Sequence, residues 1–367
     1  MSRYKRITVK IGSNVLTRAD GTLDVTRLSS LVDQIAELRA AGMEVIVISS
    51  GAVACGRSEL KGLNTARLDD VDRRQLFSGV GQAKLINRYY DLFREHGIIV
   101  GQVLTLKESF ATRRHYLNQR NCMLTMLDNG VIPIVNENDT VSVTELMFTD
   151  NDELSGLVAA MLDCEALIIL SNIDGIYNGD PKSADSRVIE SVDPRRDLSD
   201  YIRTERSGFG RGGMVTKYRI ARKVADEGIE VIIANGKKDD ILTHLLLEGR
   251  ERPVCTRFSP SENPTSSMKR WIAHSVGFAK GRILIDSNAE EAVLSTHAAS
   301  ILPVGVTAVE GEFERDDLVR VVSDATGQVL GVGRVAYNSD EARAFIGQRG
   351  ARPMVHYDYL YIDFPKS

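Results

Sequence analysis

Short runs of branched aliphatic residues recur through the first two-thirds of this chain, each followed by a stretch with helical periodicity. The runs are ITVKI at 7–11, VIVIS at 45–49, VIPIV at 131–135, ALIIL at 166–170 and EVIIA at 230–234, with few polar positions. A strand with one wet face alternates apolar and polar residues. Strands this continuous are buried on both faces, the condition of a parallel sheet covered by helices. Between the first two runs, Leu28, Leu31, Ile35 and Leu38 share one helix face, and Gly42 follows where a helix stops. Similar helical patterns fill 75–97, 116–130, 152–164 and 214–228, and IIVGQVLT at 98–105 reads as a further strand. These residues predict a three-layer α/β/α sandwich with a mainly parallel sheet over residues 1–257.

The character changes after RFSPSENPTSS at 257–267, a Ser- and Pro-rich stretch with little to bury. Short strands, turn residues and one short helix follow, which predicts a linker over 258–277 and a small, mainly-β, barrel-like domain over 278–360. From Phe278 onward there are nine Lys and Arg against thirteen Asp and Glu, so this part carries the whole net charge of −4. Neither part is a basic body, which opposes RNA binding as the main activity. Cys55, Cys122, Cys164 and Cys255 are scattered without CxxC spacing. They predict buried free thiols rather than a disulfide framework or a zinc site, and a reducing, cytoplasmic setting. The apolar runs are too short to span a bilayer, and the first residues enter a strand without a leader-like apolar stretch.

Open parallel sheets bind ligands beyond the carboxyl ends of their strands, so the strand-to-helix junctions hold the chemistry. In VKIGSN, Lys10 sits near a strand end ahead of Gly12. A buried lysine there calls for an anion, whereas an edge strand would let it face water. In ISSGAVACG, Ser50 and Gly51 fall where backbone N–H groups could meet an anion, or where a serine merely caps a helix. In NENDTVSVTELMFTDNDELSG, Asn136, Glu137, Asn138 and Asp139 crowd a strand end, with Asp150, Asn151 and Asp152 behind them. Asp150 with Glu153 has capping-box spacing. The acceptor cluster itself suits a substrate ammonium, or a metal carried by phosphates. Last, GFGRGGMVTK at 208–217 opens a helix whose first turn holds Lys217, where the helix dipole disfavours a cation unless an anion intervenes. No GxxxxGK[ST] string exists in the chain, and no GxGxxG follows the first strand.

With these junctions in view, the chain resembles the amino-acid kinase family end to end, in its glutamate 5-kinase branch with a C-terminal PUA domain. The resemblance rests on VKIGSNVLT, VISSGAVACG, VGQ, IPIVNENDTVS, DNDELSGLVA, GFGRGGMVTK and KRW, in that order. It implies the amino-acid kinase fold and ATP-dependent phosphorylation of the side-chain carboxylate of L-glutamate, opening proline synthesis. It implies that Lys10 and Lys217 flank the transferring phosphoryl group and that Asp152 orients them. Ser50, Asp139 and Asn151 are implied to hold glutamate. ATP contacts are implied for Lys10, Ser171, Asn172, Arg211, Gly212, Gly213, Met214, Val215, Thr216 and Lys217. Mg²⁺ is expected on the nucleotide phosphates, with no metal site of protein ligands. Proline as feedback inhibitor and a dimeric or tetrameric assembly are further expectations. Ser171-Asn172 replaces the family's usual Thr-Asp, Arg211 stands where a small hydroxyl residue is common, and Asn14 replaces a serine. The competing readings are another carboxylate kinase, such as acetylglutamate kinase or aspartokinase, and a PUA-type RNA-binding protein.

Overall fold

A computed structural model describes residues 3–65, 67–110, 113–141, 151–181, 183, 185–193, 214–262, 272, 279–295 and 299–362. The chain divides into two compact units, Met1–Ser109 with Leu117–Pro264, and Phe110–Tyr116 with Thr265–Ser367.

The first unit is organised by an eight-stranded sheet. Its strands are β1 (Arg6–Ile11), β2 (Glu44–Ser49), β3 (Val100–Thr105), β4 (Ile132–Glu137), β5 (Ala166–Ser171), β6 (Ser191–Val192), β7 (Glu230–Asn235) and β8 (Thr256–Phe258). The order is β3-β4-β2-β1-β5-β7-β8-β6, and every neighbouring pair is parallel except β7 with β8. The aliphatic runs become the central strands, and β4 and β5 are buried throughout. The short β6 and β8 carry no comparable run, so sequence alone does not announce them. β8 takes in Phe258, the first residue of the expected linker.

Alternation along the strands decides what each face receives. Ile7, Val9 and Ile11 of β1, Val45 and Val47 of β2, and Ile132 and Ile134 of β4 join one core. That core includes Leu28, Leu31 and Ile35 of α2 (Val25–Ala40), and Leu85, Tyr89 and Phe93 of a long helix at Asp70–Glu95. The intervening residues, Thr8 and Lys10, therefore turn to the opposite face. There lie α6 (Asn151–Met161) and α7 (Met214–Asp226). The other described α-helices up to Pro264 are α1 (Ser13–Leu16), α3 (Ala52–Glu59), α5 (Arg113–Asp128), which lies in this unit from Leu117 on, and α8 (Ile241–Leu246), and the long helix is α4. Asp24 caps α2 by accepting from the Arg27 N–H at 3.1 Å, and Asp69 caps α4 through Asp72 at 2.8 Å.

Cys55, Cys164 and Cys255 are buried as free thiols, but Cys122 is exposed, against the sequence expectation. It lies on α5, where Met123 and Leu127 take the inward positions and leave Cys122 facing out. No described helix is long and apolar enough to cross a membrane.

The second unit has a five-stranded sheet, β10-β9-β11-β12-β13, formed by β9 (Gly281–Ile285), β10 (Val306–Gly311), β11 (Leu318–Ser323), β12 (Val329–Val335) and β13 (Val355–Ile362). All pairs are antiparallel except β9 with β11. Two short helices, α9 (Ser287–Leu294) and α10 (Ser339–Phe345), accompany it, and Ile283, Ile285, Val319, Val321 and Met354 are among its core residues. Asn338 and Glu341 close a capping box at the start of α10.

Candidate active site

The carboxyl ends of β1, β2, β4 and β5 meet the N-terminus of α6, and two polar clusters form there. The first is built on Asp152, the second residue of α6, which is fully buried. The Lys10 ammonium lies 2.6 Å from its Oδ1, and Lys217 donates to its Oδ2 at 2.8 Å. Lys10 is 5% and Lys217 9% exposed. Burial on its own pushes the Asp152 carboxyl up. The Lys10 charge, then the Lys217 charge and the hydrogen bonds from both ammoniums, outweigh burial and hold it below the usual carboxylate value.

Local sequence explains the placement. β1 lies between β2 and β5, so the edge-strand reading of Lys10 fails. Its side chain takes the α6 face because Val9 and Ile11 take the other. Gly12 keeps the strand end narrow: a Cβ there would meet Leu170 O at 3.2 Å and Lys10 Nζ at 3.6 Å. Lys217 sits on the first turn of α7, where the helix dipole repels it, and the Asp152 carboxylate supplies the missing anion. Two ammoniums thus converge on one buried carboxylate, a gathering of cations suited to a polyanion.

The second cluster is neutral at its centre. The Asn151 Nδ2 donates to Ser50 Oγ at 2.8 Å and to Asn136 Oδ1 at 2.9 Å. The Asn136 Nδ2 in turn donates to Gln82 Oε1 at 2.9 Å. The chain of amides has one direction, and that direction sets the chemistry. With its amide hydrogens engaged, Asn151 presents its carbonyl oxygen as an acceptor, fit for an ammonium. Ser50 accepts from Asn151 and so keeps its hydroxyl hydrogen to give, fit for a carboxylate. Asp139 stands at the edge of this cluster, bonded by Arg74 Nη2 at 2.5 Å, with Ser78 Oγ at 3.5 Å.

Helices α3 and α4 support the arrangement. Gly51 caps α3 at φ +119°, a conformation that glycine adopts without strain and that starts the helix directly after Ser50. Where α3 crosses α4, a Cβ on Gly81 would lie 1.8 Å from Ala52 O, so the two backbones touch. The VGQ motif at 80–82 thereby acquires a physical role: the glycine admits α3, and the glutamine anchors Asn136. Tyr89 continues the same face of α4 and shares a hydrogen bond of 2.8 Å with Ser49.

The structure thus brings Lys10, Lys217 and Asp152 together, and Ser50 and Asn151 together beside them. Asp139 lies with the second group. Ser171 and Asn172 end β5, next to β1, and Ser171 Oγ donates to Asn172 Oδ1 at 3.5 Å. Met214, Val215 and Thr216 open α7 ahead of Lys217, and Val215 is exposed. Arg211, Gly212 and Gly213 lie outside the described residues, as does Asp150 with its expected capping role. Arg74, Gln82 and Tyr89 were not singled out as site residues. Their signal is the helical spacing of 74, 78 and 82, which puts three polar residues on one stripe of α4. Among the described residues, no group of three or more His, Cys, Asp or Glu is placed to hold a metal ion.

Residues 5–235 match the amino acid kinase family, and residues 281–357 match the PUA domain. The glutamate 5-kinase of Bacteroides thetaiotaomicron is 65% identical over 98% of this chain and 99% of its own length. That of Chlorobaculum tepidum is 46% identical over 98% of both chains. That of Myxococcus xanthus is 40% identical over 98% of this chain and 93% of its own.

Proposed function

The chain belongs to the amino acid kinase family. From that premise we propose that it transfers the γ-phosphoryl group of ATP to the side-chain carboxylate of L-glutamate, the first step of proline biosynthesis. A carboxylate oxygen forms the new bond to phosphorus, the bond from phosphorus to the bridging oxygen breaks, and ADP leaves with that electron pair. The acceptor is already an anion, so the step needs no general base.

The observation that carries this reading is the buried Lys10–Asp152–Lys217 triad beside a pocket of directed amides. Phosphoryl transfer asks for positioning and for charge where negative charge spreads. The two lysines take opposite oxygens of Asp152, which sets their separation, and they flank the transferring group. Ser50 receives a substrate carboxylate, while Asn151 and Asp139 receive the ammonium. Ser171, Asn172 and the stretch from Arg211 to Lys217 contact the nucleotide. Mg²⁺ arrives on the ATP phosphates as part of the substrate, because Asp152 is committed to the two lysines. Proline acts as a feedback inhibitor at or near the glutamate pocket, the enzyme works as a dimer or tetramer, and it resides in the cytoplasm.

The test is turnover with ATP, Mg²⁺ and L-glutamate, reading ADP release and trapping the acyl phosphate with hydroxylamine. ADP and hydroxamate should form together. Turnover with N-acetylglutamate but not with glutamate would overturn the proposal. Repeating the assay with proline tests the feedback, and light scattering reads the assembly.

A further inference from the structure

Glu137 and Asp139 close the carboxyl end of β4, and both are buried, at 3% and 7% exposure. Two buried acids so near each other repel, and each loses hydration. A guanidinium meets both of them. Arg74 Nη2 lies 2.5 Å from Asp139 Oδ1 and 3.4 Å from Glu137 Oε2, and its side chain is itself only 26% exposed. Arg74 is held in place by α4, whose stripe also carries Ser78 to Asp139 and Gln82 to Asn136. The same helix is locked against α3 at Gly56 and Gly81, so the guanidinium approaches the strand end from a rigid base.

We propose that Arg74 is a specificity-determining positioning residue for the amino-acid substrate. It holds Asp139 in one orientation and balances one of the two carboxylate charges. Held in this way, the Asp139 carboxylate is set to meet the substrate ammonium. Without that balance, the strand end would repel the two carboxylates that any acidic amino acid brings with its ammonium. Arg74 acts through Asp139 and does not take part in bond making. The role rests on the reading of this pocket as the glutamate site, and it adds a residue on which recognition of the ammonium depends.

Steady-state kinetics of the full chain tests it, with the parent assayed in parallel. Arg74→Ala is expected to raise KM for glutamate by about 30-fold or more, as expected when one member of a buried charge pair is removed. KM for ATP should stay within about twofold, because the nucleotide side has no share in this pair. Arg74→Lys keeps the charge and should recover a large part of the loss. In an Asp139→Asn background, Arg74→Ala should have a much smaller effect, since the carboxylate it positions is gone. An unchanged glutamate KM in Arg74→Ala overturns the proposal, as does an equal rise for glutamate and ATP. Arg74→Lys as impaired as Arg74→Ala, or additive losses in the double variant, overturn it too. Failure of the parent to phosphorylate glutamate would instead strike the proposed function.

Discussion

The two halves of the site solve different problems with different materials. Around Asp152, full charges are buried and held by full charges, with both ammoniums within 3 Å of the carboxylate. Around Asn151, neutral groups are linked by donors that run outward from Asn151, to Ser50 and through Asn136 to Gln82, and charge stands at the edge, on Asp139, Glu137 and Arg74. The difference follows the ligands. A polyphosphate presents diffuse negative charge, which point charges stabilise with little demand on direction. An amino acid presents an ammonium and carboxylates at fixed separations, which oriented donors and acceptors can tell apart. On the proposed function, charge serves the transfer and directed hydrogen bonds serve recognition.

Substitutions can break this contrast. The largest effect is expected for Lys217→Ala: kcat should fall by about 10²–10³-fold, as when one charge-stabilising donor is removed. Circular dichroism should show the chain still folded, and a rate within a few-fold of the parent would remove Lys217 from its assigned place. Asp152→Asn attacks the same half through stability. It removes the carboxylate that both buried ammoniums contact, at a cost of about 3–5 kcal/mol in denaturant unfolding.

That loss has a defined pH window. The Asp152 carboxyl is held below its ordinary value of 3.8 in the folded protein, so its contribution to stability is full above that value. It fades as pH falls from there through the folded value. The gap between parent and Asp152→Asn should therefore be constant from pH 5 to 8 and narrow below about 4. A gap that changed between pH 5 and 8 would contradict the assigned direction.

On the recognition side, Asn151→Ala should raise the glutamate KM by about 10- to 100-fold, the scale of one hydrogen bond to a charged group. The ATP KM should remain near the parent value, and parallel shifts in both would erase the contrast between the halves. Gln82→Ala acts one bond further away and should raise the glutamate KM only about fivefold, near one neutral hydrogen bond. Smallest for function is Asp24→Ala, which removes the α2 cap far from either half. It should lower stability by about 1 kcal/mol with both KM values unchanged.

Much of the fold was legible because burial on both faces leaves a plain trace. ALIIL could belong only to an interior strand, and it became β5, buried at every position. Val192 and Phe258 are buried as well, but β6 and β8 are too short to set up a period, so they stayed hidden. In the site, Lys10 and Lys217 stood out as cations where local electrostatics or burial opposed them. The role of Asp152 was reachable only through the resemblance, since an acid in the first turn of a helix is ordinary. Arg74 lies one residue before the helical pattern read at 75–97, and nothing local singles it out.

The sequence by itself determined the long strands and helices, though not the short β6 and β8, and that their polar junctions would gather at one edge of a parallel sheet. It did so because periodicity and propensity are local. Only the tertiary structure decided that residues 10, 152 and 217 share one contact, and that Arg74 takes up Asp139 across a span of 65 residues. Those partnerships depend on strand order and on the face each side chain takes. Both are settled by how the layers stack together, and no stretch of the chain contains that information alone.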